Sequence, residues 1–249
     1  RFLRARKYNL NAAKKMFIDA QNWRKSVKVD ELYSSLDPFD FHTQQGRPLN
    51  FNYVREYDPQ RLSQKGVTPE RHSEIVLVNM ECLTREVIPA ARKKYGGHID
   101  SAFVIIDLKV FGLSKFWRVK SIIQQILQVS QDYYPETLGR VAIINAPSTF
   151  TVIWNVMRPF LLKETAEKVD VLGSDYQERL LELIDEENLP LAFGGKCRCE
   201  VEGSQSSGPR CHLNNSGPWL DGRVGWGPNA EKTRTELEKS GAAGRDVIE

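Results

Sequence analysis

The sequence predicts an α/β fold built on a mostly parallel sheet. Residues 101–108 and 141–144 are short, β-branched runs of the kind buried on both faces of a sheet. Amphipathic stretches with helical spacing lie between such runs. A strand–helix–strand rhythm at these spacings calls for parallel strands joined by right-handed crossovers. Gly, Pro, Asn and Asp punctuate the boundaries, as in Asp37-Pro38, Gly96-Gly97 and Pro147-Ser148.

The elements follow in order. Residues 11–27 read as a helix, with Ala12, Met16, Ala20 and Trp23 on one face and Asn11 placed to cap its start. Residues 43–47 read as a loop. Residues 48–54 alternate, with Leu49, Phe51 and Tyr53 on one side and Asn50 and Asn52 on the other, which predicts a half-buried strand opened by Pro48. Thr68-Pro69-Glu70 starts a long helix with a Thr cap and Pro in the first turn; Pro89 predicts a bend in it. Gly96-Gly97 ends that helix. Residues 101–108, 141–144 and 169–172 are strands, residues 114–129 an amphipathic helix, and residues 174–184 a closing helix capped by Ser174. Residues 150–162 hold Phe150, Val152, Ile153, Trp154, Val156, Met157, Phe160, Leu161 and Leu162, with Arg158 the single charge. That segment is too apolar for an ordinary surface helix and too short to span a bilayer. It is either fully buried or used against something greasy.

Composition narrows the classes. A chain of 249 residues, 41% hydrophobic, supports a sizeable core. A net charge of +3 does not by itself imply nucleic acid. Arg1, Arg4, Arg6, Lys7, Lys14 and Lys15 cluster at the start, and read alone they are a solvated helix face. No run of apolar residues is long enough for a transmembrane helix and no signal peptide is visible; opening on Arg1 implies residues upstream. Cys82 falls in an apolar helix and reads as a core thiol. Cys197, Cys199, Cys211 and His212 offer zinc ligands at a non-standard spacing, so zinc, a disulfide and free thiols all stay open, free thiols fitting best. No catalytic constellation is present: there is no phosphate loop, no G-x-S-x-G, and Asp107 at a strand end has no nameable partner and reads as a turn residue. No metal or cofactor is expected.

A set of motifs then becomes recognisable. Arg1-Phe2-Leu3-Arg4-Ala5-Arg6-Lys7-Tyr8, Trp23-Arg24-Lys25, Gly46-Arg47-Pro48, Ile106-Asp107-Leu108-Lys109, Tyr133-Tyr134-Pro135-Glu136, Ile144-Asn145-Ala146-Pro147, Leu189-Pro190 and Phe193-Gly194-Gly195 occur in that order, followed by Gly217-Pro218-Trp219. Together they resemble the CRAL-TRIO lipid-binding family, and within it the fungal and plant phosphatidylinositol/phosphatidylcholine transfer proteins. The resemblance covers the chain from Arg1 to about Trp226. It implies a mostly parallel sheet flooring an apolar lipid pocket, with residues 150–162 as a gating helix over its mouth. It also implies a truncated N-terminal helical subdomain over residues 1–35 and a lipid-binding domain over 36–200; residues 201–226, with Trp219 and Trp226 as isolated apolar anchors, read by composition as an ordered coil. Residues 227–249 read as a disordered tail by composition.

The same resemblance implies the site. Phosphatidylinositol headgroup contacts fall on Arg6, Lys7, Glu136, Thr165 and Lys168, with Glu167 as an inositol-hydroxyl acceptor and Pro48 near a backbone contact. A phosphodiester takes cationic donors and a hydroxyl, and inositol hydroxyls take a carboxylate. Gate and membrane contact falls on Phe150, Ile153, Trp154, Met157, Phe160 and Leu161. The family's choline site carries two hydroxyls where this chain has Ala102 and Val104, so phosphatidylinositol is expected over phosphatidylcholine, with the second ligand a different lipid or a sterol. The expectation is a non-enzymatic, monomeric exchange protein with bound phospholipid as its ligand. It would be cytoplasmic and peripheral on Golgi or endosomal membranes, presenting phosphatidylinositol to a phosphoinositide kinase. The alternative is a carrier or sensor of another hydrophobic molecule, like the tocopherol and retinal binders.

Overall fold

The computed structural model describes residues 1–30, 42–44, 47–54, 64 and 68–197. Helices α1 (Phe2–Ala5) and α2 (Leu10–Ser26) open the chain. Strands β1 (His42–Gln44) and β2 (Arg47–Tyr53) follow, then helices α3 (Pro69–Cys82) and α4 (Ile88–Tyr95), joined by a π-helical turn at Leu83–Val87. After these come β3 (Ala102–Asp107), α5 (Leu113–Tyr133), β4 (Leu138–Ile144), α6 (Phe150–Met157), a 3-10 turn Arg158–Phe160, α7 (Lys163–Ala166), β5 (Val169–Val171) and α8 (Tyr176–Leu183).

The five strands lie in the order β1-β2-β3-β4-β5, with β2 to β5 parallel. Sequential order and a single direction place all the connecting helices on one face of the sheet. The side chains agree. Ala102 packs with Cys82, Leu83, Val87 and Ile88 of the α3–α4 unit, and Ile106 and Ile143 pack towards α5 and α6. On the opposite face Leu49, Phe103, Ile105, Ala142 and Ile144 are sealed under Tyr176, Leu180 and Ile184 of α8 and under Leu189 and Phe193 beyond it. Phe193-Gly194-Gly195 makes that last turn possible. Gly194 takes φ +91°, and a Cβ on Gly195 would sit 2.0 Å from the Leu189 carbonyl oxygen.

Several local expectations are corrected. The cap of α2 is Asn9, whose side chain accepts the Ala12 N–H, and Asn11 lies inside the helix. Residues 43 and 44 belong to β1, a short antiparallel strand in which Thr43 pairs with Pro48 and Gln44 with Arg47. The structure therefore replaces much of the expected loop with a hairpin arm. Closing helix α8 starts at Tyr176 after Asp175, and Ser174 does not cap it. At Pro89 the π turn just before it takes the place of a simple bend, absorbing the backbone group that proline cannot pair. Thr68 caps α3 as expected, its hydroxyl accepting the Arg71 N–H at 3.2 Å. Cys82 is buried. The boundaries expected near residues 35 and 200, the coil and tail beyond, and Cys199, Cys211 and His212 lie outside the described residues.

Candidate lipid site

The amino-terminal edge of the parallel sheet gathers most of the expected headgroup residues. Pro48 is buried at the start of β2, Glu136 precedes β4, and Lys168 precedes β5. Glu136 adopts φ +59°, an uncommon backbone for a residue with a side chain. Lys168 Nζ donates to the Leu138 carbonyl at 3.0 Å and approaches Glu136 Oε2 at 3.4 Å. Gly139 follows at a shift in register between β3 and β4, and its Cβ would meet Ser101 Oγ at 2.7 Å. The site edge is thus shaped by a strand irregularity that a side chain would disturb.

The N-terminal segment is stapled to this edge. Arg4 pairs with Asp100, two residues before β3, at 2.5 Å. This contact holds the Asp100 carboxyl below its ordinary range, against the opposing effect of burial. Lys7 Nζ pairs with Glu164 of α7 at 3.0 Å, and Thr165 follows it, half-buried. Glu167 is exposed, 3.9 Å from Lys163. Lys7 therefore reaches α7 through Glu164, the neighbour of Thr165 in sequence, and Lys168 and Glu136 meet directly. Arg6 is placed differently: it lines a groove between α2 and the end of α5 with Lys15, Asp19, Asp132 and Tyr133. Cationic donors and carboxylates interleave at one sheet edge, which suits a phosphate joined to a polyol.

Between the helices, the sheet face they share is left partly open. Within β3, Phe103 and Ile105 on the α8 face are buried, whereas Val104 and Ile106 on the other face are half-buried. Ile143 is also half-buried, and Asn52 and Val171 are exposed at the flanks. The α3–α4 unit covers the Ala102 end and α5 with α6 the Ile106 end. Of the two expected choline positions, Ala102 is packed under α3–α4 at 2% exposure and Val104 lies on the open floor.

The apolar segment walls this trough. Phe150, Ile153 and Met157 point inward against Phe111, Phe116 and Val119, so they are core-facing here and not solvent-facing. Trp154 is half-buried with its ring 6.3 Å from Phe150. Leu161 is half-buried, and the apolar groups facing water are Val152, Phe160 and Leu162. Asp107 is a turn residue as expected: Oδ1 accepts the Lys109 N–H at 2.9 Å and Asn145 Nδ2 at 2.7 Å.

Two arrangements escaped the sequence. Glu81, 1% exposed, is bonded by Arg24, Arg85 and the Tyr134 hydroxyl, the last at 2.6 Å. Trp23 stacks on Tyr133 beside it with ring centroids 3.7 Å apart. This polar knot docks α2 on the body. Its only sequence signal was the pairing of Trp23-Arg24 with Tyr133-Tyr134 in the motif set. The second is Gln131, which bonds the backbone of the expected gate segment at Phe160 and Leu162.

A family model described as the CRAL/TRIO domain matches residues 39–195. The Sec14 cytosolic factor of Schizosaccharomyces pombe is 37% identical over 232 residues, covering 88% of this chain and 78% of that protein. The SEC14 cytosolic factor of Kluyveromyces lactis is 34% identical over 242 residues, covering 89% and 76%. The phosphatidylinositol/phosphatidylcholine transfer protein SFH7 of Arabidopsis thaliana is 33% identical over 235 residues, and the chain spans 42% of its length. The crystal structure of Sfh5 shares the fold, with a TM-score of 0.58 at 15% identity, covering 88% of this chain and 76% of that one.

Proposed function

This chain belongs to the CRAL/TRIO domain family, and from that premise we propose that it is a lipid exchange protein that takes phosphatidylinositol from one membrane and returns it to another. The observation that carries the reading is the open sheet face. Val104, Ile106 and Ile143 are half-buried apolar residues on the helix-covered face, Ile106 and Ile143 packed in part against α5 and α6, and a cationic edge sits at one end of that face. Each methylene kept from water is worth ~0.8 kcal/mol, so a carrier must replace the bilayer interior nearly completely for both acyl chains. A floor of this kind under an apolar gate does so. Glu136, Lys168, Thr165 and Lys7 hold the headgroup, with Glu167 at the rim, Arg6 approaching from the groove beside it, and Pro48 offering backbone.

The protein acts without catalysis, as a monomer, in the cytoplasm and peripherally on Golgi or endosomal membranes. It presents its lipid to a phosphoinositide kinase. The absence of hydroxyls at Ala102 and Val104 favours a second ligand other than phosphatidylcholine, such as a sterol. Mass spectrometry of co-purifying lipids, paired with vesicle-to-vesicle transfer of labelled phosphatidylinositol, tests the reading. Recovery of phosphatidylinositol and its transfer support it. Recovery of a sterol or tocopherol-like molecule alone replaces it with the hydrophobic-carrier reading.

A further inference from the structure

We propose that the turn after β3 and the first turns of α5, carrying Lys109, Val110, Trp117, Arg118 and Lys120, form a docking surface for anionic bilayers, distinct from the headgroup site and adjoining the start of α6. The inference rests on the lipid-exchange reading, since a carrier must meet a membrane, and it names the surface and the lipid charge.

The first observation is charge. Residues 109–131 contain four Lys or Arg and no Asp or Glu, and residues 145–163 contain two and again none. The whole chain carries 32 acidic residues against 35 basic, so two acid-free stretches walling one trough depart from its composition. Among the described residues, Lys109, Arg118 and Lys120 have no carboxylate partner, whereas Arg4, Lys7, Arg24, Arg85, Arg140 and Lys168 each have one.

The second is apolar exposure on the same elements. Val110 is 81% exposed and Trp117 53% exposed, and Lys120 Nζ lies 5.4 Å from the Trp117 ring centre. Val110 also adopts φ +58°, a left-handed backbone that a β-branched residue disfavours, so it is presented at a strained tip. A single exposed Val or Trp is ordinary for a soluble surface. Here both lie in an acid-free, basic setting, and an indole flanked by cations is the combination that sits at a bilayer interface.

The third is continuity. Phe116, next to Trp117, is fully buried and packs with Phe150 and Ile153 of α6. The side of α5 that backs the gate is therefore adjacent to the side carrying the cations. A membrane engaged by Trp117 and Lys120 lies beside the start of α6, which exposes Val152; Phe160 and Leu162 follow towards the far end of α5.

Sedimentation with phosphatidylcholine vesicles, with and without phosphatidylserine, tests the surface. The full chain should partition to the phosphatidylserine vesicles and lose that binding as salt rises. Each cation near an anionic leaflet is worth roughly five-fold in partition, so K109Q/R118Q/K120Q should lose about a hundred-fold. Trp117→Ser and Val110→Gly should each weaken partition with their charges intact; Val110→Gly also relieves the backbone strain, so a folding defect does not explain its loss. Lipid carried by the same preparations is measured separately and should stay at the wild-type level. Equal binding to both vesicle types, or wild-type partition of the triple variant, overturns the surface. Purified protein that carries no phospholipid overturns the exchange reading instead.

Discussion

Gln131 and Leu162 are joined through the far end of α5: Gln131 Oε1 accepts the Leu162 N–H at 2.8 Å, while its Nε2 donates to the Phe160 carbonyl at 3.0 Å. One amide side chain thus holds the backbone on both sides of Leu161, where the gate segment leaves its 3-10 turn. The apolar contacts of Phe150, Ile153 and Met157 anchor the other end of the segment. In the proposed exchange cycle, a wall held by packing at one end and by two exposed hydrogen bonds at the other would open from the second end.

Gln131→Ala removes both bonds while leaving the Phe160 carbonyl and Leu162 N–H within reach of water. The expected global cost is therefore small, about 1–2 kcal/mol. Hydrogen exchange over residues 158–162 should accelerate, and phosphatidylinositol transfer should become faster while retention falls. Unchanged exchange across that segment would show that the latch does not limit opening.

The gate itself should exchange faster than the sheet. Lids are drawn from the low-stability end of a fold, whereas β3 and β4 are central strands. Exchange of residues 150–162 should also respond to added vesicles. Protection equal to that of residues 102–107, with no response, would make α6 a fixed core helix and remove the route by which lipid leaves.

Lys168→Gln should weaken phosphatidylinositol retention ten- to a hundred-fold, since a charge-assisted phosphate contact is worth about 1.5–3 kcal/mol. Folding should change little, because the Lys168–Glu136 pair is partly exposed and such pairs contribute about 0–1 kcal/mol. Transfer at the wild-type rate by a folded Lys168→Gln protein would remove Lys168 from the site.

The two choline positions now separate. Val104→Thr adds a hydroxyl on the open floor and should raise phosphatidylcholine transfer. Ala102→Ser places one among Cys82, Leu83, Val87 and Ile88, where an unpaired hydroxyl costs about 1–3 kcal/mol, and should destabilise without a gain in transfer. Wild-type protein that already moves both phospholipids equally would end the argument from these positions.

How much of this was legible follows from where the information lies. The strands at 102–107 and 141–144 and the capped start of α3 are local: β-branched runs and a Thr-Pro-Glu start need no tertiary partner to be read, whereas Leu138-Gly139-Arg140, which opens β4, reads as a turn. β1 was not legible, because His42, Thr43 and Gln44 carry no apolar alternation and owe their strand to backbone pairing with β2. The α2 cap was displaced by two residues because Asn9 and Asn11 are chemically identical candidates, and only the backbone distinguishes them. Gln131 and Glu81 were invisible for a different reason. Apart from Arg85, four residues from Glu81, their partners lie 29 and 31, and 57 and 53, residues away, so each read as an ordinary polar side chain on a helix. The headgroup set became readable only as a set in register with known relatives, since Lys7, Glu136 and Lys168 taken singly are surface charges. Arg6 belonged to that set in sequence, yet its side chain lines the adjoining groove.

Acid should loosen the joint between α2 and the body, through Glu81. Burial alone would raise its carboxyl. Hydrogen bonds from Arg24 and Tyr134, and then the charges of Arg24 and Arg85, reverse this and leave it below the ordinary glutamate range. The folded chain then binds the Glu81 proton less readily than the unfolded chain. Its contribution to stability is fully present above the unfolded value of about 4.3 and is lost as pH falls through the lower folded value. Glu81→Gln keeps the shape but removes the buried anion and leaves Arg24 and Arg85 with only the exposed Asp30, at an expected cost of up to about 3–5 kcal/mol at neutral pH. The cost should shrink as pH drops below the ordinary glutamate range, because the wild type then loses the same charge. Asp100 and Asp170 are also depressed by their arginine partners, so some acid sensitivity remains in the variant. Urea unfolding of both proteins from neutral pH downward reads the difference. Tyr134→Phe, which removes one bond and leaves both ion pairs, should cost about 1–2 kcal/mol and serves where Glu81→Gln does not fold. A gap between wild type and Glu81→Gln that stays constant with pH would mean that packing around Glu81, and not its charge, ties α2 to the body.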